Sequence, residues 1–88
     1  MSIKITPDML AGFEQWLTGR GCYAPRTIRG MVLRANALLR DNDISRIPLD
    51  EDAAVALVNQ LYRSRTQADG YKAAIRRLIE YCREGASS

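Results

Sequence analysis

Eighty-eight residues supply one hydrophobic core and no second, because a chain this short buries only about 60 to 65 per cent of its extended surface. Apolar residues at 47 per cent and charged residues at 26 per cent are ordinary globular values and exclude wholesale disorder. The net charge is +3, eleven of the thirteen basic residues are arginine, and there is no histidine, which excludes an imidazole base, histidine-ligated zinc and a serine, histidine, aspartate triad.

The elements follow in chain order. Thr6-Pro7-Asp8 is a helix-start signal: a capping hydroxyl, a proline where a missing N–H is harmless, and an acid at the positive end of the dipole. Leu10, Phe13, Trp16 and Leu17 recur at helical spacing and Gly19 with Gly21 ends the run, predicting a first helix over 7–19. Pro25 opens a second over 25–40, closed by Asp41, Asn42 and Asp43, whose short polar side chains compete for the backbone. Pro48 bars helix just before it, and Asp50 caps a third over 50–63, with Ala54, Leu57, Val58 and Leu61 on its inner face. Ser64 or Thr66 caps a fourth over 66–84, which carries Ala68, Tyr71, Ala74, Ile75, Leu78, Ile79 and Cys82 and fades by Gly85 into a tail or linker, Gly85 to Ser88. Gly70 inside it costs about 1 kcal/mol relative to alanine, so either a close helix crossing needs it or the regular helix starts later. The predicted fold is all-α, a single-domain four-helix bundle over residues 1–88. Phe13, Trp16, Leu38, Leu57, Leu61, Leu78 and Ile79 are expected at its centre, where each truncation costs about 2 to 5 kcal/mol.

Charge is distributed unevenly along these helices. Between Arg20 and Arg40 stand Arg20, Arg26, Arg29, Arg34 and Arg40 without a single acid. At about 100 degrees per residue, Ile28, Met31, Val32, Ala35, Leu38 and Leu39 share one arc and Arg26, Arg29, Arg34 and Arg40 the opposite one. Duplex DNA carries a negative charge roughly every 1.7 Å of its axis, so a rigid row of guanidinium groups suits it; a solvated basic surface is the plainer reading. In the fourth helix Lys72, Arg76 and Arg83 lie on one flank of the apolar stripe and Arg77 on the other, with Arg63 and Arg65 just ahead of the helix. The acids concentrate in between, at Asp41, Asp43, Asp50, Glu51 and Asp52, leaving positive potential on the elements to either side.

Little else carries chemistry. The acids sit in turns and helix starts where capping accounts for them, and no phosphate-loop or dinucleotide glycine spacing occurs. Cys22 and Cys82 are expected to be free thiols of a reducing compartment, although one disulfide is arithmetically open. No apolar run reaches the ~18 residues of a membrane span and the N-terminus lacks the apolar core of a secretory signal, so the expected location is cytoplasmic, or nucleoid-associated in a prokaryote. No cofactor, metal or catalytic residue is expected.

Phe13, Trp16 and Leu17, then Gly21, Arg26-Thr27-Ile28, Leu38 and Leu39, and finally Ser64 and Thr66 ahead of the run Tyr71 to Tyr81 form a pattern over roughly residues 8 to 84. It resembles the N-terminal core-binding domain of tyrosine recombinases and phage integrases. The resemblance implies an orthogonal, SAM-like four-helix bundle that grips one side of double-stranded DNA through its second and fourth helices, while a C-terminal catalytic domain grips the other. By the same resemblance Arg26, Thr27 and Arg29 lie against backbone and groove, and Lys72, Arg76 and Arg77 match the basic positions of the last helix. Together with Arg34, Arg65 and Arg83 from the charge pattern, these are the candidate DNA-binding residues. That family's catalytic arginines, histidine element and tyrosine nucleophile belong to the second domain, so none of Tyr23, Tyr62, Tyr71 or Tyr81 is a candidate nucleophile. The expected partners are double-stranded DNA and such a catalytic domain or recombinase subunits, with the isolated domain monomeric. The rival expectation is a SAM-like or death-fold-like interaction bundle that self-associates, the acidic segment of one copy meeting the arginine face of another.

Overall fold

Each helix starts where a side chain or a proline relieves the free N–H groups of its first turn. The computed structural model describes residues 2–87, with side chains described through Glu84. Its elements are β1 (Ser2–Lys4), α1 (Pro7–Arg20), α2 (Pro25–Asp41), β2 (Arg46–Pro48), α3 (Glu51–Leu61) and α4 (Arg65–Ser87). The Thr6 hydroxyl accepts from the Met9 N–H at 3.2 Å, and the Asp50 carboxylate from the Ala53 N–H at 3.1 Å. At α4 the choice between Ser64 and Thr66 falls on Ser64, whose hydroxyl faces the Gln67 N–H at 3.5 Å and whose carbonyl accepts from Ala68 at 2.8 Å. Gly21 closes α1 in the left-handed region at φ 70°, which glycine adopts without strain. Asp43, at φ 53°, turns the chain away from α2.

Two expected boundaries move for identifiable reasons. The third helix stops at Leu61 because Tyr62 turns extended, and its ring then stacks on that of Tyr71 at 4.1 Å between centroids and 9° between planes. The fourth begins one residue earlier, at its Ser64 cap, and its backbone stays helical through Ser87. Of the tail expected over Gly85 to Ser88, Ser88 itself lies outside the described residues.

The all-α expectation needs a correction, because β1 and β2 pair antiparallel in the register Ser2↔Pro48, Ile3↔Ile47, Lys4↔Arg46. Ile5 extends the contact by donating its N–H to the Ser45 carbonyl at 2.8 Å. Strands of three residues give too little alternation to stand out in a sequence. They form because Ile47 and Ile5 are drawn into the core, where both are buried, leaving the intervening backbone groups to satisfy each other.

One apolar cluster joins all six elements. Phe13, Leu17, Ile28, Ala35, Leu38, Ile47, Ala54, Val58, Ile75, Leu78 and Ile79 are buried within it. Its axis is α4, which packs on α1, α2 and α3 and buries Ala68, Ala74, Ile75, Leu78, Ile79 and Cys82. Three residues expected at the centre lie nearer the rim. Leu57 and Leu61 are half-buried because α3 buries only the narrow Ala54 and Val58 stripe, and Trp16 is half-buried with its indole N–H turned out to Glu84. The radius of gyration, 12.2 Å, matches the roughly 12 Å of a compact chain of this length.

Glycine is required where α1 meets α4. A methyl group at Gly12 would collide with the Tyr81 hydroxyl, and the Tyr81 ring cannot swing aside because it packs on Phe13 and Trp16, with centroids 5.9 and 5.7 Å away. Gly12→Ala is therefore expected to destabilise by about 1 to 3 kcal/mol, although alanine is the better helix former by ~1 kcal/mol. In a Tyr81→Phe background, with the hydroxyl gone, the same change should be near neutral. Denaturant unfolding of the four chains measures this cycle, and an equal cost in both backgrounds would place the restraint elsewhere.

Candidate nucleic-acid interface

The outer face of α2 carries a row of arginines that form no ion pair among the described residues. Ile28, Ala35, Leu38 and Leu39 hold the inner face in the core, which leaves Arg26, Thr27, Arg29, Arg34 and Arg40 exposed. Among the described residues none of these four arginines has an ion pair, and each of the ion pairs present involves other side chains. The sequence pointed to these arginines; it did not point to Leu33, which stands 59 % exposed on the same face.

Arg34 lies back across α4. A β-carbon at Gly70 would fall 3.1 Å from Arg34 Nε and 3.5 Å from its Cδ and Cζ. The absent side chain at Gly70 thus makes a seat for the Arg34 side chain; α4 is already helical from Arg65, so the regular helix does not start later, and what lies above Gly70 is a side chain of α2 and not its backbone. Farther along, the Asn42 amide donates to the Leu38 carbonyl at 2.8 Å and to the Tyr62 hydroxyl at 3.2 Å. Burial pushes the Tyr62 phenol pKa up, with the Asn42 hydrogen bond pulling the other way, so the ring stays neutral through the physiological range. This contact ties the end of α2 to the α3–α4 turn and brings Arg40 to the same end of the bundle as the exposed Arg63 and Arg65.

The remaining candidates on α4 have protein partners. Arg76 meets Glu51 at 3.2 Å, Arg77 meets Glu80 at 2.5 Å, Lys72 meets Asp69 at 3.9 Å, and Arg83 donates to the Leu49 carbonyl at 2.9 Å. The shallow groove along this part of α4 is lined by Arg76, Arg77 and Arg83 against Glu51, Glu80 and Glu84, so its formal charges cancel. Arg76 and Arg83 face α3 and the segment before it, whereas Arg77 lies on the flank toward α1, where Glu80 also takes Arg20 at 3.3 Å. Arg20 in turn covers the Trp16 ring at 4.8 Å. The second and fourth helices therefore meet at Arg34 and Gly70, and the structure does not bring Arg76 or Arg83 to α2. Helical spacing shows the i, i+3 pairs of Lys72 and Arg77; it cannot show Glu51 reaching Arg76 from another helix.

Cys22 is exposed, Cys82 is buried and both are free thiols, burial pushing the Cys82 pKa up. Among the described residues no group of three or more cysteine or carboxylate side chains is placed to hold a metal ion, and no helix is long and apolar enough to cross a membrane. Compared with protein-family models, with curated proteins and with solved structures, the chain matches none.

The seat at Gly70 differs from that at Gly12 because the atoms above it belong to the outer part of a long, flexible, exposed side chain. Gly70→Ala is expected to raise stability by up to about 1 kcal/mol, the helix-propensity gain, as Arg34 swings outward. Thermal unfolding checks the sign, and a loss larger than about 1 kcal/mol would mean that the α2 and α4 backbones themselves are forced apart.

Proposed function

We propose that the chain binds double-stranded DNA along α2, as the non-catalytic core-binding half of a site-specific tyrosine recombinase or integrase. The observation that carries this reading is the row Arg26, Arg29, Arg34 and Arg40, exposed on one helix and without acidic partners among the described residues. A helix rises about 1.5 Å per residue, so Arg26 and Arg40 stand roughly 21 Å apart, enough to span a major groove roughly 12 Å wide and reach the phosphates on both rims. Arg63 and Arg65, exposed at the end of the bundle where α2 stops, are further candidates for phosphate. Lys72, Arg76, Arg77 and Arg83 contribute second, because their present partners must first be exchanged for phosphate; such half-exposed pairs are worth little, so the exchange costs little.

The recombinase assignment rests on the Arg26-Thr27-Ile28 and Tyr71 to Tyr81 pattern and on the four-helix bundle, which is compatible with the orthogonal, SAM-like arrangement of that family. On this reading a separate domain supplies the chemistry and the protein acts in the cytoplasm, on the nucleoid if its source is prokaryotic. Head-to-tail self-association gains less support, because two of the acids it needs are occupied: Asp50 caps α3 and Glu51 holds Arg76.

Fluorescence anisotropy of a labelled duplex across a salt series tests the proposal. With four to six phosphate contacts, the logarithm of affinity should fall against the logarithm of salt with a slope of about −4 to −5. Replacing Arg26, Arg29 and Arg40 together with alanine should reduce that slope by about 3 while each site changes stability by no more than roughly 0.5 kcal/mol. Arg76→Ala with Arg77→Ala should reduce it less. Arg46→Glu, on β2 beside the acidic segment, is the control for bulk charge; if it weakens binding as much as the α2 triple variant, the proposed face is wrong.

A further inference from the structure

Among the described residues Leu33 is the one large apolar side chain left exposed, at 59 % accessibility. It does not lie at an edge of the core. On α2 it projects within about 40 degrees of Arg26, Arg29 and Arg40, at the middle of the arginine row. Gly30 and Ala37, one turn before and one turn after it, are small, so Leu33 is the group that reaches farthest at the centre of the helix while guanidinium groups reach outward at both ends.

We infer that Leu33 reads thymine: it sits against the C5-methyl group of a thymine in the major groove while the flanking arginines hold the phosphates. The inference rests on the DNA-binding reading of α2 and adds to it a residue that discriminates between bases. The charge around Leu33 selects a polyanion as what covers this face. Within a duplex, the major groove offers a leucine one apolar complement, the thymine methyl; cytosine, adenine and guanine present hydrogen-bonding atoms there. The minor groove, roughly 6 Å wide, is too narrow for a helix 10 Å or so across, so the contact is made from the major-groove side.

Replacing thymine with uracil removes that methyl group and leaves base pairing and phosphates in place. The experiment measures the affinity of the chain and of Leu33→Ala for an alternating A·T duplex and for the same duplex carrying uracil at every thymine, by anisotropy at low salt. The native sequence is expected to favour the thymine duplex about three- to four-fold, the effect of withdrawing one methyl-sized group from water. Leu33→Ala, at an exposed site and with an unchanged unfolding midpoint, should bind both duplexes equally. Arg29→Ala should weaken both and keep the preference. Equal affinity of the native chain for the two duplexes overturns the inference and leaves the DNA-binding reading standing, as does a preference that survives in Leu33→Ala. Binding to neither duplex overturns both. If sedimentation shows a concentration-dependent dimer that Leu33→Ala dissolves, with the thymine preference unaffected, Leu33 faces a second copy and the inference is wrong.

Discussion

The close approach of α4 to its neighbours is the constraint on which the rest of the structure depends. Three helices share this one axis, and they do so because the crossings are lined by residues with little or no side chain: Gly12 under Tyr81, and Ala35, Ala54, Ala68 and Ala74 in the core. With both flanks of α4 enclosed in this way, its charged side chains lie within reach of other elements and of each other. Arg76 finds Glu51, Arg77 shares Glu80 with Arg20, and Trp16 turns its N–H to Glu84. The helix that organises the core thereby neutralises much of its own charge.

The consequence falls on α2, whose inner face is apolar and whose outer face leaves Arg26, Arg29 and Arg40 exposed while Arg34 lies over Gly70 of α4. Its arginines have no acid on their own helix before Asp41, and beyond it Asp50 is taken up in the α3 cap and Glu51 in the pair with Arg76. An excess charge of +3 spread over the surface would say little about a partner; four guanidinium groups along one rod, one of them seated over a glycine of the neighbouring helix, give that excess a direction. On the proposed reading, phosphate contacts hold a duplex without distinguishing its bases, and Leu33, in their midst, adds an apolar group suited to a thymine methyl.

What could be read from the sequence was the local part of this arrangement. Caps at Thr6 and Asp50, the Gly21 stop and the apolar stripes depend on residues a few positions apart, and they located four helices to within one to three residues at each end. The strand pair of Ser2–Lys4 with Arg46–Pro48 was not legible, since its hydrogen bonds join segments more than forty positions apart and each strand is three residues long. The same distance effect governs the site: the α2 face follows from helical periodicity alone, whereas the pairing of Arg76 with Glu51 and the seat of Arg34 over Gly70 exist only once helices have packed. Trp16 shows the limit of periodicity in the other direction, because its spacing places it on the core side of α1, while its polar N–H draws the ring toward the rim and Glu84.

The central claim, that α2 presents the DNA-facing surface and that α4 flanks it, is tested most directly by following the backbone amide resonances of the intact 88-residue chain as duplex DNA is added. The account predicts shifts concentrated along residues 26–40 and around residues 63–70, with the α1 outer face at Ala11, Glu14, Gln15 and Thr18 and the acidic stretch from Asp50 to Ala53 little affected. Shifts centred on Arg76, Arg83 and the start of α3 with α2 silent, or no shifts at all, would contradict it.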